Sequence, residues 1–157
     1  VDMQLESQGT GGILLKGTGT NNVADAGYVG EYISDEVLIA DAVSLTSPNA
    51  SNVTSISLDA GDWDASATVI YNPNGATTTT YRQWGISQTS ATQPTLGAEN
   101  NGGFSTVALA AGTTESFTTG TMRISLAATT TIYLVAQATF AVNTMSVYGF
   151  IGARRVR

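Results

Sequence analysis

The side chains that could do chemistry in this chain are carboxylates, because the sequence contains neither cysteine nor histidine. A thiolate nucleophile, a serine–histidine–aspartate triad and a zinc site with nitrogen and sulfur ligands are therefore excluded. The densest group is Asp59, Asp62 and Asp64, whose oxygens could bind calcium or supply the acid and base of glycoside hydrolysis. Asp62 and Asp64 alternate with Trp63, which is typical of solvent-facing positions at the start of a strand. We therefore predict no catalytic residue and no metal site.

Aromatic side chains are the second candidate for a functional site. Aromatic rings stack on sugars, and Tyr71, Tyr81 and Trp84 lie close to a predicted loop at 72–80. These three residues are candidate contacts to a glycan or a receptor, although packing in a core or an interface is the commoner use of such rings. The glycine-rich stretches near the N-terminus match neither the phosphate-binding loop nor the dinucleotide fingerprint, so no cofactor is predicted.

The charge and hydropathy of the chain argue against two classes of partner. The net charge is −6, whereas nucleic-acid affinity comes largely from lysine and arginine, so we expect no nucleic-acid partner. No apolar run approaches the roughly 20 residues that cross a bilayer, so we expect a chain that is not embedded in a membrane. Near the C-terminus, Arg154, Arg155 and Arg157 form either a solvated tail or one that folds back onto acidic residues of its own or a neighbouring chain.

Short runs that alternate between apolar and polar residues dominate the rest of the sequence, and no 12-residue window shows a helical period. The clearest runs are 61–71, 131–140 and 145–154. Further candidate strands are 28–33, 42–46, 52–58, 80–87, 106–109, 114–117 and 122–125. Nine or ten short strands separated by turns predict an all-β protein with an antiparallel β-sandwich or barrel. Long loops around 72–80 and 88–103 favour a jelly roll among these architectures.

The composition also predicts association between copies of the chain. A short chain rich in alanine and glycine builds a thin core, and thin cores are commonly completed by oligomerisation. The run 145–154 shows two apolar faces, which is typical of a central strand or of a strand at a subunit contact. We therefore expect either Tyr148 and Phe150 or Val147 and Ile151 at such a contact, while composition alone does not choose three copies over two.

The chain divides into two unequal parts. Residues 1–26 read as a glycine-rich connector, or as a strand that enters from an upstream shaft, because glycine at this density costs backbone entropy on folding. Residues 27–157 carry the regular succession of strands and turns and are predicted to form the β-sandwich domain.

Several stretches, taken together in their order and spacing, resemble the C-terminal domain of tailed-bacteriophage tail fibres and tail-needle knobs. The stretches are Gly27-Tyr28-Val29-Gly30-Glu31-Tyr32, Val43-Ser44-Leu45-Thr46, 52–58, Ala60-Gly61-Asp62-Trp63-Asp64, 126–140, Tyr148-Gly149 and Ala153-Arg154-Arg155-Val156-Arg157. The resemblance covers about residues 27–157. It implies a tumour-necrosis-factor-like jelly roll that forms a homotrimer at the distal end of a virion appendage.

The resemblance further implies a non-enzymatic tip domain that attaches the virion to its host through a bacterial surface glycan or an outer-membrane protein. It carries over no receptor-contacting residue. Residues 1–26 lack the heptads of a needle shaft, so the appendage could be a tail fibre, a tail needle or a head fibre. Two other functions stay open: a small carboxylate-dependent glycan hydrolase, and a purely structural module for trimerisation or capsid decoration.

Overall fold

The computed structural model of the chain describes residues 22–97 and 101–157. This part of the chain forms ten strands and one short 3-10 turn, Ile39–Asp41. The strands are β1 (Tyr32–Val37), β2 (Val43–Ser44), β3 (Ala50–Leu58), β4 (Gly61–Pro73), β5 (Thr78–Ser87), β6 (Gly102–Ser105), β7 (Glu115–Thr118), β8 (Met122–Leu126), β9 (Thr130–Ala141) and β10 (Met145–Arg155). The predicted all-β class is confirmed.

The strands form two antiparallel sheets that face each other. Sheet A has the order β1-β10-β4-β7, with β2 also paired to β10 and β8 also paired to β4. Because β1 and β2 pair with successive parts of β10, they form one broken edge, and β7 and β8 form the other edge along β4. Sheet B has the order β3-β9-β5-β6. Each sheet is therefore four positions wide.

The connectivity is that of a jelly roll. With each broken edge counted as one strand, there are eight strands, of which sheet A reads 1-8-3-6 and sheet B reads 2-7-4-5. Successive strands cross between the sheets except at the hairpin of strands 4 and 5. This is the double Greek key of a jelly-roll sandwich. The predicted antiparallel sandwich is confirmed, and the jelly-roll order follows from the pairing of its strands.

The core lies between the sheets and is built by the predicted alternation. On β4, Trp63, Ala65, Val69 and Tyr71 all point inward and are fully buried. The inward positions of β9 and β10 are filled by aliphatic side chains that pack against them. Burial of one face of each strand supplies the main driving force for bringing the two sheets together.

Three sequence-based boundaries were wrong, each for a local reason. The stretch 72–80 is no long loop, because β4 runs to Pro73 and β5 starts at Thr78, joined by a tight turn in which Thr77 N–H donates to Asn74 O over 2.7 Å. The predicted strand 106–109 is a connection with a single bridge to β5. The first strand starts at Tyr32 rather than at 28, because Gly27 and Gly30 adopt positive φ in a turn.

The predicted connector 1–26 lies largely outside the described residues, which begin at residue 22. Its division from the domain 27–157 therefore stays a prediction. Among the residues that the structure does describe, no helix is both long and apolar enough to cross a membrane.

Candidate functional site

Two of the three aromatic residues proposed as glycan contacts lie inside the sandwich. Tyr71 is fully buried, its hydroxyl donates to Gln83 O over 2.6 Å, and burial raises its pKa. Trp84 is buried on the facing strand, where its indole N–H donates to Thr118 O over 3.1 Å and its ring stacks on Phe117 at 4.0 Å. Both residues occupy inward positions of their strands, and for this reason they are core residues rather than surface contacts.

Tyr81 alone of the three reaches the surface. A register irregularity between Thr79 and Tyr81 precedes it, and Tyr81 then pairs with Thr139 on the outer face of sheet B. Its ring lies beside that of Phe104, with centroids 6.3 Å apart and planes at 28°. Phe104 is 55% exposed. The sequence reasoning missed Phe104 because the first two residues of β6, Gly102 and Gly103, were assigned to the predicted loop 88–103, and the next predicted strand starts only at 106.

The outer face of sheet B carries no charged side chain on the strands that the structure describes. Polar neighbours flank the aromatic pair: Gln83 is the direct cross-strand partner of Phe104, and its Oε1 accepts a hydrogen bond from the Tyr81 hydroxyl over 2.7 Å. The outward residues are Asn52, Ser55, Ser57, Tyr81, Gln83, Gly85, Ser87, Gly102, Phe104, Thr131, Tyr133, Val135, Gln137 and Thr139.

The loop that follows β5 covers the middle of this face and leaves the Tyr81 end open. Asn52 anchors the loop, because its side chain donates to Ser90 Oγ over 2.8 Å and accepts from Ala91 N–H over 2.6 Å. Gln93 Nε2 donates to Gln83 O over 3.0 Å. Val135, on the outward side of β9, is fully buried, so the middle of this face is covered, whereas Thr139 on the same face is exposed.

On β10, the two candidate pairs of subunit contacts point to opposite faces of sheet A. Val147 and Ile151 are fully buried in the core of the single chain, so they are not available for contact with another copy. Tyr148 and Phe150 occupy the alternate positions, point out of sheet A and are half-buried. The alternation along β10 decides this division.

Tyr148 and Phe150 belong to an apolar patch on the outer face of sheet A, formed with Tyr32 and Ile70 and here called the sheet A patch. Ile70 is the cross-strand partner of Tyr148. Tyr32 and Phe150 lie over Gly152, where a Cβ atom would come within 2.4 Å of the Tyr32 hydroxyl and 2.9 Å of Phe150 Cζ. All four side chains are half-buried in the single chain. The charged residues on the same face are Glu36, Asp62, Asp64, Arg123 and Arg154.

Each carboxylate of the densest acidic group has a partner of its own. Asp62 pairs with Arg157 over 2.6 Å, and the Ser125 hydroxyl, followed by the charges of Arg157 and Arg123, lowers the pKa of Asp62. Asp64 pairs with Arg123 over 2.5 Å, and Asp59 Oδ1 accepts from the Thr129 hydroxyl over 2.8 Å. Within 22–97 and 101–157 there is no cluster of three or more acidic side chains that could hold a metal ion.

Two of the three C-terminal arginines, Arg155 and Arg157, fold back onto acidic residues of the same chain, as one of the two sequence interpretations expected, whereas Arg154 lies over the Tyr32 ring. Arg155 Nε lies 2.7 Å from Glu31 Oε2, with side chains 6% and 8% exposed. Its Nη1 donates to Ala60 O over 2.7 Å, and its guanidinium lies 4.3 Å from the centre of the Trp63 ring. The end of the chain is thereby fixed to the turn that precedes β1.

A second buried cation lies near the other end of the sandwich. Arg82 points inward from β5 and is fully buried; its Nη2 donates to Ser105 Oγ over 3.0 Å and to Val107 O over 2.9 Å. The same nitrogen lies 3.0 Å from Glu115 Oε2. These contacts join β5, β6, the connection after β6 and β7, and they hold β6 and therefore Phe104 in place.

Comparison with known proteins finds distant structural likeness only at low sequence identity. No family model and no curated protein matches the chain. A chain in a solved structure of infectious bursal disease virus, Gx strain, aligns with 92% of this chain at 12% identity and a TM-score of 0.49. This chain covers 38% of that one, and so spans well under half of its length.

Proposed function

We propose that the chain is a self-associating structural domain of an external appendage of a virus particle, in which three copies pack through the outer face of sheet A. In this role the domain forms the distal tip of a bacteriophage tail fibre or a similar appendage and contacts the host surface. Its partners are two further copies of itself and a component of the bacterial surface. The placement in a virion is supported by the motifs between Gly27 and Arg157 that resemble tail-fibre and needle knobs.

The sheet A patch is the observation that carries the self-association. Tyr148 and Phe150 lie on the central strand β10, and Ile70 lies on the central strand β4. A contiguous apolar patch with a rim of charged residues is the usual anatomy of a protein interface. Glu36 and Arg154 supply opposite charges at this rim, so that ion pairs between copies can form around an apolar centre.

Sedimentation equilibrium of the 157-residue chain tests this proposal. We expect a species of three times the 16.2 kDa of one chain. Phe150→Ser and Tyr148→Ser should shift the distribution towards the single chain, because each removes apolar area from the patch. Tyr28→Ser is the matched control, because Tyr28 is 68% exposed in the turn before β1 and lies outside the patch. A compact single chain at all concentrations contradicts the proposal.

The placement in a virion has its own test. Antibodies raised against the chain should decorate the ends of an external appendage when intact particles are viewed by immunogold electron microscopy. Labelling confined to the capsid surface would instead favour a capsid-decorating module, and an absence of label on particles that contain the protein by mass spectrometry would contradict an external position.

A further inference from the structure

The outer face of sheet B carries an exposed aromatic pair that the fold itself does not require. Phe104 stands on the edge strand β6 with 55% of its surface in solvent, and Tyr81 lies beside it. An exposed phenylalanine buries little on folding and so contributes little to stability. The strand that carries it is nevertheless held in a defined place, because Gly103 and Gly102 pack β6 tightly against Trp84 and Gly85.

Among the residues that the structure describes on the outer face of sheet B, the neighbours of this pair are polar and uncharged. Gln83 Oε1 accepts a hydrogen bond from the Tyr81 hydroxyl. The N–H donors of the Gln83 side-chain amide have no partner among the described residues. Thr139 is the cross-strand partner of Tyr81, and Gln137 is the partner of Gln83. Amides and hydroxyls can both donate and accept hydrogen bonds, while the rings provide apolar area between them.

This combination fits an uncharged sugar unit better than other occupants. A pyranose ring has a face of C–H groups that packs on an aromatic ring, and hydroxyls around its edge that pair with amides and side-chain hydroxyls. A phosphorylated or sialylated ligand would need a cation, and the outward residues of sheet B include none among those that the structure describes. A protein partner would be expected to use a larger apolar centre than two rings.

The position of the pair agrees with the proposed assembly. The outer faces of sheets A and B lie on opposite sides of the sandwich. If copies meet through the sheet A patch, the face of sheet B is turned away from the other copies and towards the surroundings. The loop after β5 covers the centre of this face and leaves the Tyr81 end open, so a chain of sugars can reach the rings from solvent.

We propose that Tyr81 and Phe104, with Gln83 and Thr139 beside them, form a platform that binds an uncharged sugar unit of a cell-surface glycan. This inference rests on the host-contacting role proposed above and gives the chemical class of its receptor. Tyr81 was among the residues that the sequence indicated, whereas Phe104 and the uncharged face come from the structure.

The test is binding of the 157-residue chain to an array of neutral and acidic oligosaccharides built from hexose, deoxyhexose and N-acetylhexosamine units. Titration calorimetry with the best neutral oligosaccharide then gives the affinity. We expect Phe104→Ala and Tyr81→Ala each to weaken binding by about tenfold or more, as for other central aromatic contacts. Phe104→Tyr keeps the ring and should bind within about threefold of the original chain.

Tyr28→Ala is the matched control, because it removes an exposed aromatic ring away from sheet B and should leave binding unchanged. Three results would overturn the inference. The chain could bind no neutral oligosaccharide, or Phe104→Ala could bind the sugar as tightly as the original chain does. The third is that protease treatment of host cells abolishes attachment of the chain to them. Sedimentation separates this failure from that of the proposed assembly. A trimer that binds no sugar contradicts only the platform, whereas a single chain that binds sugar through Phe104 contradicts only the assembly.

Discussion

Glu31 and Arg155 join the turn before β1 to the last strand, and both side chains are almost completely buried. Glu31 Oε2 also accepts a hydrogen bond from Gly27 N–H over 2.9 Å, and Arg155 contacts Ala60 O and the Trp63 ring. Each of these buried charges is stabilised by its partner rather than by water. When one member of a buried pair is removed, the other is left desolvated without compensation.

We therefore expect Glu31→Gln to lower the free energy of unfolding by about 3–5 kcal/mol, which is the usual cost of breaking a buried ion pair. Urea denaturation followed by circular dichroism measures this change. The matched control is Asp64→Asn, because Asp64 pairs with Arg123, which is 57% exposed. Breaking such a surface pair should cost at most about 1 kcal/mol. Equal effects of the two substitutions would show that the Arg155 charge is not dependent on Glu31.

The lowered pKa of Asp62 leads to a prediction about its titration. The Ser125 hydroxyl makes the largest contribution to lowering the pKa of Asp62, and Arg157 and Arg123 lower it further. Because the folded-state pKa lies below the unfolded value, the stability from this group is present above about pH 4. It is lost as the pH falls through the lower folded-state value.

Ser125→Ala should raise the pKa of Asp62 towards its ordinary value, because one donor to the carboxylate is removed while the arginines remain. Carboxyl-carbon NMR titration of both proteins measures the pKa directly. Thr129→Ala removes a hydroxyl from Asp59 instead and should leave the Asp62 titration where it is. An unchanged pKa in Ser125→Ala would mean that the arginine charges alone hold Asp62 ionised.

Residue types limited what the sequence could predict about the site. The absence of histidine and cysteine excluded a thiolate nucleophile and a histidine-based triad. The alternation around Trp63 predicted solvent-facing positions for Asp62 and Asp64; both lie on the outer face of sheet A, but Asp62 is buried there. Sequence alone predicts Tyr71 and Trp84 as surface candidates, because aromatic residues occur both in cores and in binding sites. That both rings point inward becomes clear only once sheet A is seen to pack against sheet B.

At the scale of elements, β10 and β4 share the longest paired stretch among the described strands, from Met145 opposite Pro73 to Arg155 opposite Trp63. Gly149 lies in the middle of β10 with φ +154°, and a Cβ atom there would come within 2.1 Å of Thr68 O. That oxygen belongs to the backbone of β4 and cannot rotate away. The close approach of these two central strands therefore requires glycine at this position.

Gly149→Ala should destabilise the protein by about 2–4 kcal/mol, because it combines overpacking with an unfavourable backbone conformation. Thermal unfolding measured by calorimetry gives the effect. Gly75→Ala is the control, because a Cβ atom at Gly75 meets nothing within 4 Å and should change stability by about 0.5 kcal/mol or less. Comparable losses from both substitutions would contradict the close approach of β10 and β4.

The elements themselves show where sequence patterns succeed and fail. Alternation predicted β4, because a long strand with one buried face leaves a clear period of two. The long apolar runs 131–140 and 145–154 predicted β9 and β10. Strand β6 was missed, since its Gly102 and Gly103 look like a turn. In the structure these glycines allow tight pairing instead, because a Cβ atom at Gly102 would come within 2.1 Å of Trp84 O. A glycine pair can signal either a turn or a close contact.

At the scale of the whole molecule, the sandwich leaves different chemistry on its two outer faces. Sheet A carries an apolar patch among charges of both signs, and sheet B carries amides, hydroxyls and one aromatic pair without charge among the described residues. The sequence predicted strands but not this division, because the face of a residue depends on which sheet its strand joins. This division is the reason why we propose self-association for one face and ligand binding for the other.

If three copies pack through the sheet A patch, unfolding also separates the copies, so the midpoint temperature must depend on protein concentration. Mass action then requires the midpoint to rise as the chain is concentrated. We expect a rise of a few degrees over a hundredfold range of concentration for the original chain and for Tyr28→Ser. Phe150→Ser should show a midpoint that is lower and nearly independent of concentration, because the single chain then unfolds alone. Scanning calorimetry at matched concentrations measures both quantities, and a concentration-independent midpoint for the original chain would place the sheet A patch in solvent.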